Sequence, residues 1–152
     1  MKLLCDQMLG TLAKWLRILG YDTFYASNEM TDDALMELAK KEKRILITRD
    51  KELIMRAKKH LITTIKIQDT DLIEQIHNVI KENKIDERKF LSRCSVCNTE
   101  LLSIPKDKVN GKVPPKVFES KEKFWYCPTC KRHYWIGSHY DDMIKRIKKI
   151  SG

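Results

Sequence analysis

The stretch RILITRDKELIMRAKK, residues 44–59, sets the fold of the first half of the chain. Ile45, Leu46 and Ile47 form a short continuous apolar run, the pattern of a strand covered on both faces. Thr48, Arg49 and Asp50 break that run, and a short helix is expected near Lys51–Lys59. The same strand-then-helix order recurs on both sides. Upstream, Lys2–Cys5 reads as a strand leading through Asp6 into an amphipathic stretch, residues 8–19. Leu9, Leu12, Ala13, Leu16 and Leu19 fall there at helical spacing, and Gly20 ends the helix. A strand at residues 23–26 follows, then a helix whose start is marked by Thr31, Asp32 and Asp33 and whose apolar face is Leu35, Leu38 and Ala39. Downstream come a strand at residues 63–67 and a helix from about residue 71 to residue 82. Strand and helix in alternation predict a three-layer α/β domain: a parallel sheet, right-handed crossovers and helices on both faces. Residues 83–92 are polar and aperiodic, which suits a linker. The expected division is therefore an α/β unit at residues 1–85 and a cysteine-bearing unit at residues 91–152.

A chain of 152 residues with 42% hydrophobic content can bury a real core, which argues against overall disorder. No apolar run approaches the ~20 residues that span a bilayer, and no secretory leader is evident, so a cytoplasmic location without a membrane partner is expected. The net charge of +9 is uneven: residues 91–152 carry 13 Lys and Arg against 6 Asp and Glu. Such a surface suits a polyanion, because cations gain affinity by releasing counterions from phosphates. RNA is the first expectation and DNA a possible one, while a solvated, charge-rich surface is the bland alternative.

Cys94 and Cys97, with Cys127 and Cys130, make two CxxC pairs. Four thiolates complete the tetrahedral set of a closed structural zinc, a site with no open position for chemistry. A module this small gains from the metal the stability that burial cannot provide. Disulfides fit a reducing compartment less well, and redox-active pairs, the other alternative, fit less well with two CxxC pairs at ribbon-like spacing. Cys5, at the end of an apolar strand, reads as a small buried hydrophobe. Between the pairs, lysines mix with Phe124, Trp125 and Tyr126, a combination that serves either contacts to unstacked bases or packing around the metal.

Asp6 follows the first strand and Asp50 follows the strand at residues 44–48. In a parallel sheet both fall at the carboxyl edge, where open α/β sheets bind ligands. Asp32 and Asp33, at the start of a helix, can face the same edge. Three converging carboxylates would make a hard-oxygen site for Mg²⁺ or Mn²⁺ able to support phosphodiester hydrolysis. Each acid also has a plain reading as a helix cap.

These residues resemble a known family over nearly the whole chain. Cys5-Asp6-Gln7-Met8-Leu9-Gly10, through Leu12-Ala13-Lys14-Trp15-Leu16-Arg17 to Leu19-Gly20-Tyr21-Asp22, is similar to the opening of the PIN-like ribonucleases of the Mut-seven C-terminal type. Leu46-Ile47-Thr48-Arg49-Asp50 resembles that family's strand and Thr-Arg-Asp signature. Its zinc ribbon is matched by Arg93-Cys94-Ser95-Val96-Cys97-Asn98, by Phe124-Trp125-Tyr126-Cys127-Pro128-Thr129-Cys130 and by Tyr134-Trp135-Ile136-Gly137-Ser138-His139.

The resemblance implies a PIN-like domain whose acids bind Mg²⁺ or Mn²⁺ and cleave RNA. Asp6, Asp32 and Asp50 take the catalytic positions, with Asp33 a competitor for Asp32 and Asp69 or Asp71 the candidates for a fourth acid. Arg49 and Thr48 flank the site. Arg17, Arg49, Lys112, Lys116 and Arg132 are the candidate nucleic-acid contacts, Trp15 reads as packing, and His139 reads as a hydrogen-bonding residue outside the zinc. The expected function is a metal-dependent ribonuclease with a zinc ribbon that aids RNA binding. The alternative is a non-catalytic RNA-binding protein or a component of an RNA-processing complex.

Overall fold

The computed structural model describes residues 1–81 and 85–151. Four parallel strands, β1 (Lys2–Cys5), β2 (Asp22–Tyr25), β3 (Ile45–Thr48) and β4 (Thr64–Lys66), form one sheet in the order β2-β1-β3-β4. The helices α1 (Gly10–Ile18), α2 (Asp32–Glu42), α3 (Lys51–Lys59) and α4 (Leu72–Ile80) alternate with them. The predicted alternation thus holds, with boundaries moved by at most two residues. The largest change is at the start of α1, where Gln7–Leu9 form a 3-10 turn before the α-helix begins. The end expected for α4, residue 82, lies outside the described residues, as do residues 83 and 84 of the expected linker.

The period of two along a strand explains the central strands. On β1 and β3, Leu3, Cys5 and Ile47 join the core beneath α1 and α4, whereas Leu4 and Leu46 join the opposite core with Leu35, Met36, Ala39, Leu53 and Ala57 of α2 and α3. Both faces are covered, so alternation of apolar and polar residues disappears and only an apolar run is left in the sequence.

The C-terminal part holds a three-stranded antiparallel sheet of β5 (Leu102–Ile104), β6 (Phe124–Tyr126) and β7 (His133–Tyr134), with α5 (Pro115–Ser120) and the long α6 (Ser138–Ser151). Val109, Val113 and Phe124 make a small core of their own. Helix α6 does not stay with it. Met143, Ile144 and Ile147 are buried in the core of the parallel-sheet half, together with Leu12, Leu16, Ile76 and Val79. Each such side chain contributes about 2 kcal/mol of burial, so α6 fastens the two parts together.

The segment after the undescribed residues is packed, not loose. Leu91 is buried, and its N–H donates to the Ile18 carbonyl at 2.9 Å. Gly20 makes this possible: its φ of +95° is left-handed, and a Cβ there would lie 2.4 Å from the Lys89 carbonyl oxygen.

Candidate functional site

Because β1 and β3 are neighbours in register, Leu4 against Leu46, the residues that follow them emerge side by side at the carboxyl edge. Asp6 caps the 3-10 turn, its Oδ1 accepting from the Met8 N–H at 3.4 Å. Its Oδ2 accepts from the Thr48 hydroxyl at 2.7 Å. Thr48 is fully buried, and its Oγ1 in turn accepts from the Asp50 N–H at 3.0 Å. One hydroxyl therefore ties both aspartates together, and a charge-assisted bond of this kind contributes about 1.5–3 kcal/mol. Asp50 caps α3, with Oδ1 accepting from Glu52 N–H at 2.9 Å and Leu53 N–H at 3.3 Å. Asp32 comes from the first turn of α2, where Thr31 serves as the cap. Asp6, Asp32, Asp50 and Arg49 line a single cavity of about 350 Å³.

The other acids lie elsewhere. Between Asp32 and Asp33, left open by the sequence, only Asp32 lines this cavity; Asp33 is turned to Arg56, whose guanidinium also lies 3.6 Å from Asp32. Asp71 caps α4 through the Glu74 N–H at 3.1 Å. Asp69 acts through its backbone, its carbonyl accepting from Arg49 Nη2 at 2.6 Å and from Gln75 Nε2 at 2.9 Å. Neither supplies a fourth carboxylate to the cavity, since both sit past β4 at the entry to α4. Asp6, Asp32 and Asp50 share the wall of this cavity without being drawn together as a ready cluster; in kind they are the hard oxygen donors that Mg²⁺ and Mn²⁺ prefer. Asp50 caps α3 through Oδ1 alone, which leaves its Oδ2 for a ligand, so the donors suit such an ion in chemical kind.

The four cysteines meet more tightly. The sulfurs of Cys94, Cys97, Cys127 and Cys130 all lie within 4.8 Å of one another, the one group of three or more Cys, His, Asp or Glu so gathered among the described residues. Cys97 and Cys127 sulfurs are 3.5 Å apart and those of Cys94 and Cys130 3.9 Å. A tetrahedron with Zn–S of ~2.3 Å has edges of about 3.8 Å, and all five cysteines are free thiols. Zinc therefore fits, and the disulfide reading is set aside. Both knuckles turn through a residue in the left-handed region, Asn98 (φ 71°) and Lys131 (φ 61°), each donating its N–H to the carbonyl of the knuckle's first cysteine.

Neighbours tune the sulfurs. Burial raises the Cys97 thiol, but the Thr99 hydroxyl at 3.1 Å, the Thr99 backbone and the adjoining thiols outweigh it and hold Cys97 at about 6. The Tyr134 hydroxyl, 2.9 Å from Cys94 Sγ, is pushed up to about 12 by burial and by that sulfur, so it stays a donor.

A family model for the Mut7-C RNAse domain matches residues 1–147, which takes in the acid edge, all four zinc-site cysteines and the buried face of α6. The chain belongs to the Mut7-C RNAse domain family. No curated protein and no solved structure matches it.

How the ribbon of this Mut7-C chain is mounted escaped the sequence reading. Arg17, expected among the RNA-facing cations, is only 8% exposed. Its Nε donates to the Thr23 carbonyl at 2.9 Å, and its Nη1 donates to the carbonyls of Ser95 and Val96 at 3.2 and 3.0 Å. It is a strut between α1, β2 and the first zinc knuckle, because three carbonyls in a buried corner need a donor. Asn98 repeats the link: its Oδ1 accepts from the Thr23 N–H at 3.0 Å, and its Nδ2 donates to Asp22 at 2.8 Å. Asp22 also receives Arg44 at 2.9 Å. Burial pushes the Asp22 carboxyl up, but Asn98 and Arg44 prevail and hold it below its ordinary value. The left-handed position after the second cysteine of the knuckle was the signal for Asn98.

Of the remaining cations, Lys112, Lys116 and Arg132 are exposed on the ribbon, and Arg49 lines the acid cavity. The aromatics are largely structural. Phe124 is buried, Trp125 packs on the main core and Trp135 on the ribbon core. Trp15 is buried against Tyr140 and His139, the latter edge-on at 5.8 Å. Cys5 is buried, and its thiol is pushed up to about 12 by that burial. Among the described residues, no helix is long and apolar enough to cross a membrane.

Proposed function

We propose that the chain is a ribonuclease that hydrolyses RNA phosphodiester bonds with Mg²⁺ or Mn²⁺ held by Asp6, Asp32 and Asp50. The observation that carries this reading is that those three carboxylates and Arg49 line one cavity at the carboxyl edge, in a chain of the Mut7-C RNAse domain family. When bound, the divalent ion supplies a Lewis acid for the phosphate and a water acidic enough to attack it. The chain's own residues hold and orient. Thr48 fixes the Asp6 carboxylate and the turn into Asp50. Arg49, steadied by the Asp69 carbonyl, has guanidinium N–H groups to offer a phosphate oxygen. Hydrolysis on this plan needs no nucleophilic side chain.

The labour divides along the chain: residues 1–85 form the nuclease unit, and residues 91–152 form the ribbon with its helix. Lys112, Lys116 and Arg132 serve as sequence-independent phosphate contacts. Four thiolates that must stay reduced to hold zinc suit the cytoplasm. The test is cleavage of labelled RNA with and without Mn²⁺ by the wild type and by Asp50→Asn, with zinc content measured in both. Loss of cleavage with zinc and fold retained supports the reading; unchanged cleavage removes Asp50 from the mechanism.

A second reading, RNA binding without hydrolysis, draws on one observation: Asp50 and Asp32 already have structural employment, as the cap of α3 and as a partner of Arg56. Salt-dependent RNA binding with no cleavage under any divalent metal would favour it.

A further inference from the structure

The acid cavity is not polar throughout. Met8, Ala26, Met30 and Leu35 line it beside the carboxylates. Met8 is 74% exposed, and it does not owe its place to a loose loop. Asp6 caps its N–H on one side, and Leu9 is anchored in the core on the other. The carbonyl of Gln7, next in the same turn, accepts from the Tyr25 hydroxyl. Gly10 permits that brace, since a Cβ there would stand 3.0 Å from Tyr25 Oη and 3.2 Å from Cζ. A thioether is thus held in water at the rim of a site that otherwise suits charge.

Holding a metal and a phosphate needs no apolar surface, whereas the base attached to that phosphate does. A nucleobase presents a flat π-face, which methionine sulfur and aliphatic groups cover well. The volume of about 350 Å³ is at the small end of the ~300–1,000 Å³ range of ligand sites, room for one nucleotide unit. A base within a duplex has both faces already stacked.

We propose that Met8, with Met30 lining the same cavity, is a contact face for one unpaired nucleobase beside the reacting phosphate. The placement of the phosphate rests on the ribonuclease reading above.

The test uses the zinc-loaded full chain as wild type, Met8→Ala and Met8→Leu, on a fluorescent 12-nucleotide RNA, the same strand annealed to its complement, and an abasic ribose-phosphate strand of equal length. Kd is measured by anisotropy in Ca²⁺ and kcat and KM in Mn²⁺. Met8→Ala should raise KM and Kd for the single strand roughly tenfold, about the loss of one stacking contact, with kcat little changed. Met8→Leu should restore most of the affinity, the abasic strand should be indifferent to both substitutions, and the duplex should be a poor substrate. Equal behaviour of Met8→Ala and wild type on the base-bearing strand overturns the proposal. So does equal weakening on base-bearing and abasic strands, and so does efficient cutting of the duplex. If wild type cuts none of the strands, the ribonuclease reading falls, and Kd alone decides the base contact. A Met8-dependent preference for the base-bearing strand then sustains it, and no preference overturns it.

Discussion

Replacing Arg17 by methionine tests whether the zinc ribbon and the parallel sheet are one energetic unit. The guanidinium is buried and donates to Thr23 on β2 and to Ser95 and Val96 on the first knuckle. Methionine keeps much of the aliphatic volume and removes all three bonds. Bonds from a charged donor contribute about 1.5–3 kcal/mol each, but they share one side chain and one desolvation cost, so they do not add. A net loss of about 3–5 kcal/mol is expected, because three carbonyls lose their donor and each buried, unsatisfied acceptor costs about 1–3 kcal/mol. The loss must also depend on the metal. With zinc bound, Ser95 and Val96 are held where Arg17 meets them; once the knuckle is released, only the Thr23 bond remains. Urea unfolding of wild type and Arg17→Met, each zinc-loaded and chelated under reducing conditions, closes the cycle. The substitution should cost less than half as much in the chelated pair as in the loaded pair. An equal cost in both states would refute the coupling, and weaker RNA binding by a fully stable Arg17→Met would return Arg17 to the RNA-facing surface.

Thr48→Val should lower kcat about 10–100-fold by freeing Asp6 and the Asp50 turn, with the zinc retained and Thr48→Ser near wild type; steady-state kinetics with metal analysis decides it. The triple change Lys112→Glu, Lys116→Glu, Arg132→Glu should weaken binding to single-stranded RNA uniformly across sequences. It should also cut the slope of log K against log salt by about 2, the loss of three phosphate contacts; an unchanged slope would take the ribbon off the RNA. Thr99→Val should release zinc at a higher pH than wild type in an acid titration read by a chromophoric chelator. The sign follows from Cys97: Thr99 helps hold its thiol at about 6, so without that bond protons compete for the sulfur sooner as pH falls.

Much of this was legible in the residues because the signals were local. Three consecutive apolar residues at Ile45, Leu46 and Ile47 require cover on both faces, and two CxxC pairs leave few alternatives to a metal. Asp6 and Asp50 were legible as neighbours once the sheet was parallel. The choice between Asp32 and Asp33 was not, since adjacent helix residues differ by a third of a turn and only the packed position of α2 separates them. Arg17 was misplaced for a related reason: a cation on an amphipathic helix normally faces water, and nothing local announces three waiting carbonyls, two of them 78 and 79 residues away. Met8 was absorbed into the expected helix, and the 3-10 turn that holds it out came to light only with Tyr25 seated against Gly10.

The central claim is that Asp6, Asp32 and Asp50 hold a hard divalent cation with a face left for phosphate. Anomalous scattering from crystals of the zinc-loaded chain soaked in Mn²⁺ tests it directly. The account predicts a manganese peak within bonding distance of carboxylate oxygens from Asp6 and Asp50, near Asp32, and its loss in Asp6→Asn. No peak there, in a protein that still cuts RNA with Mn²⁺, would contradict it.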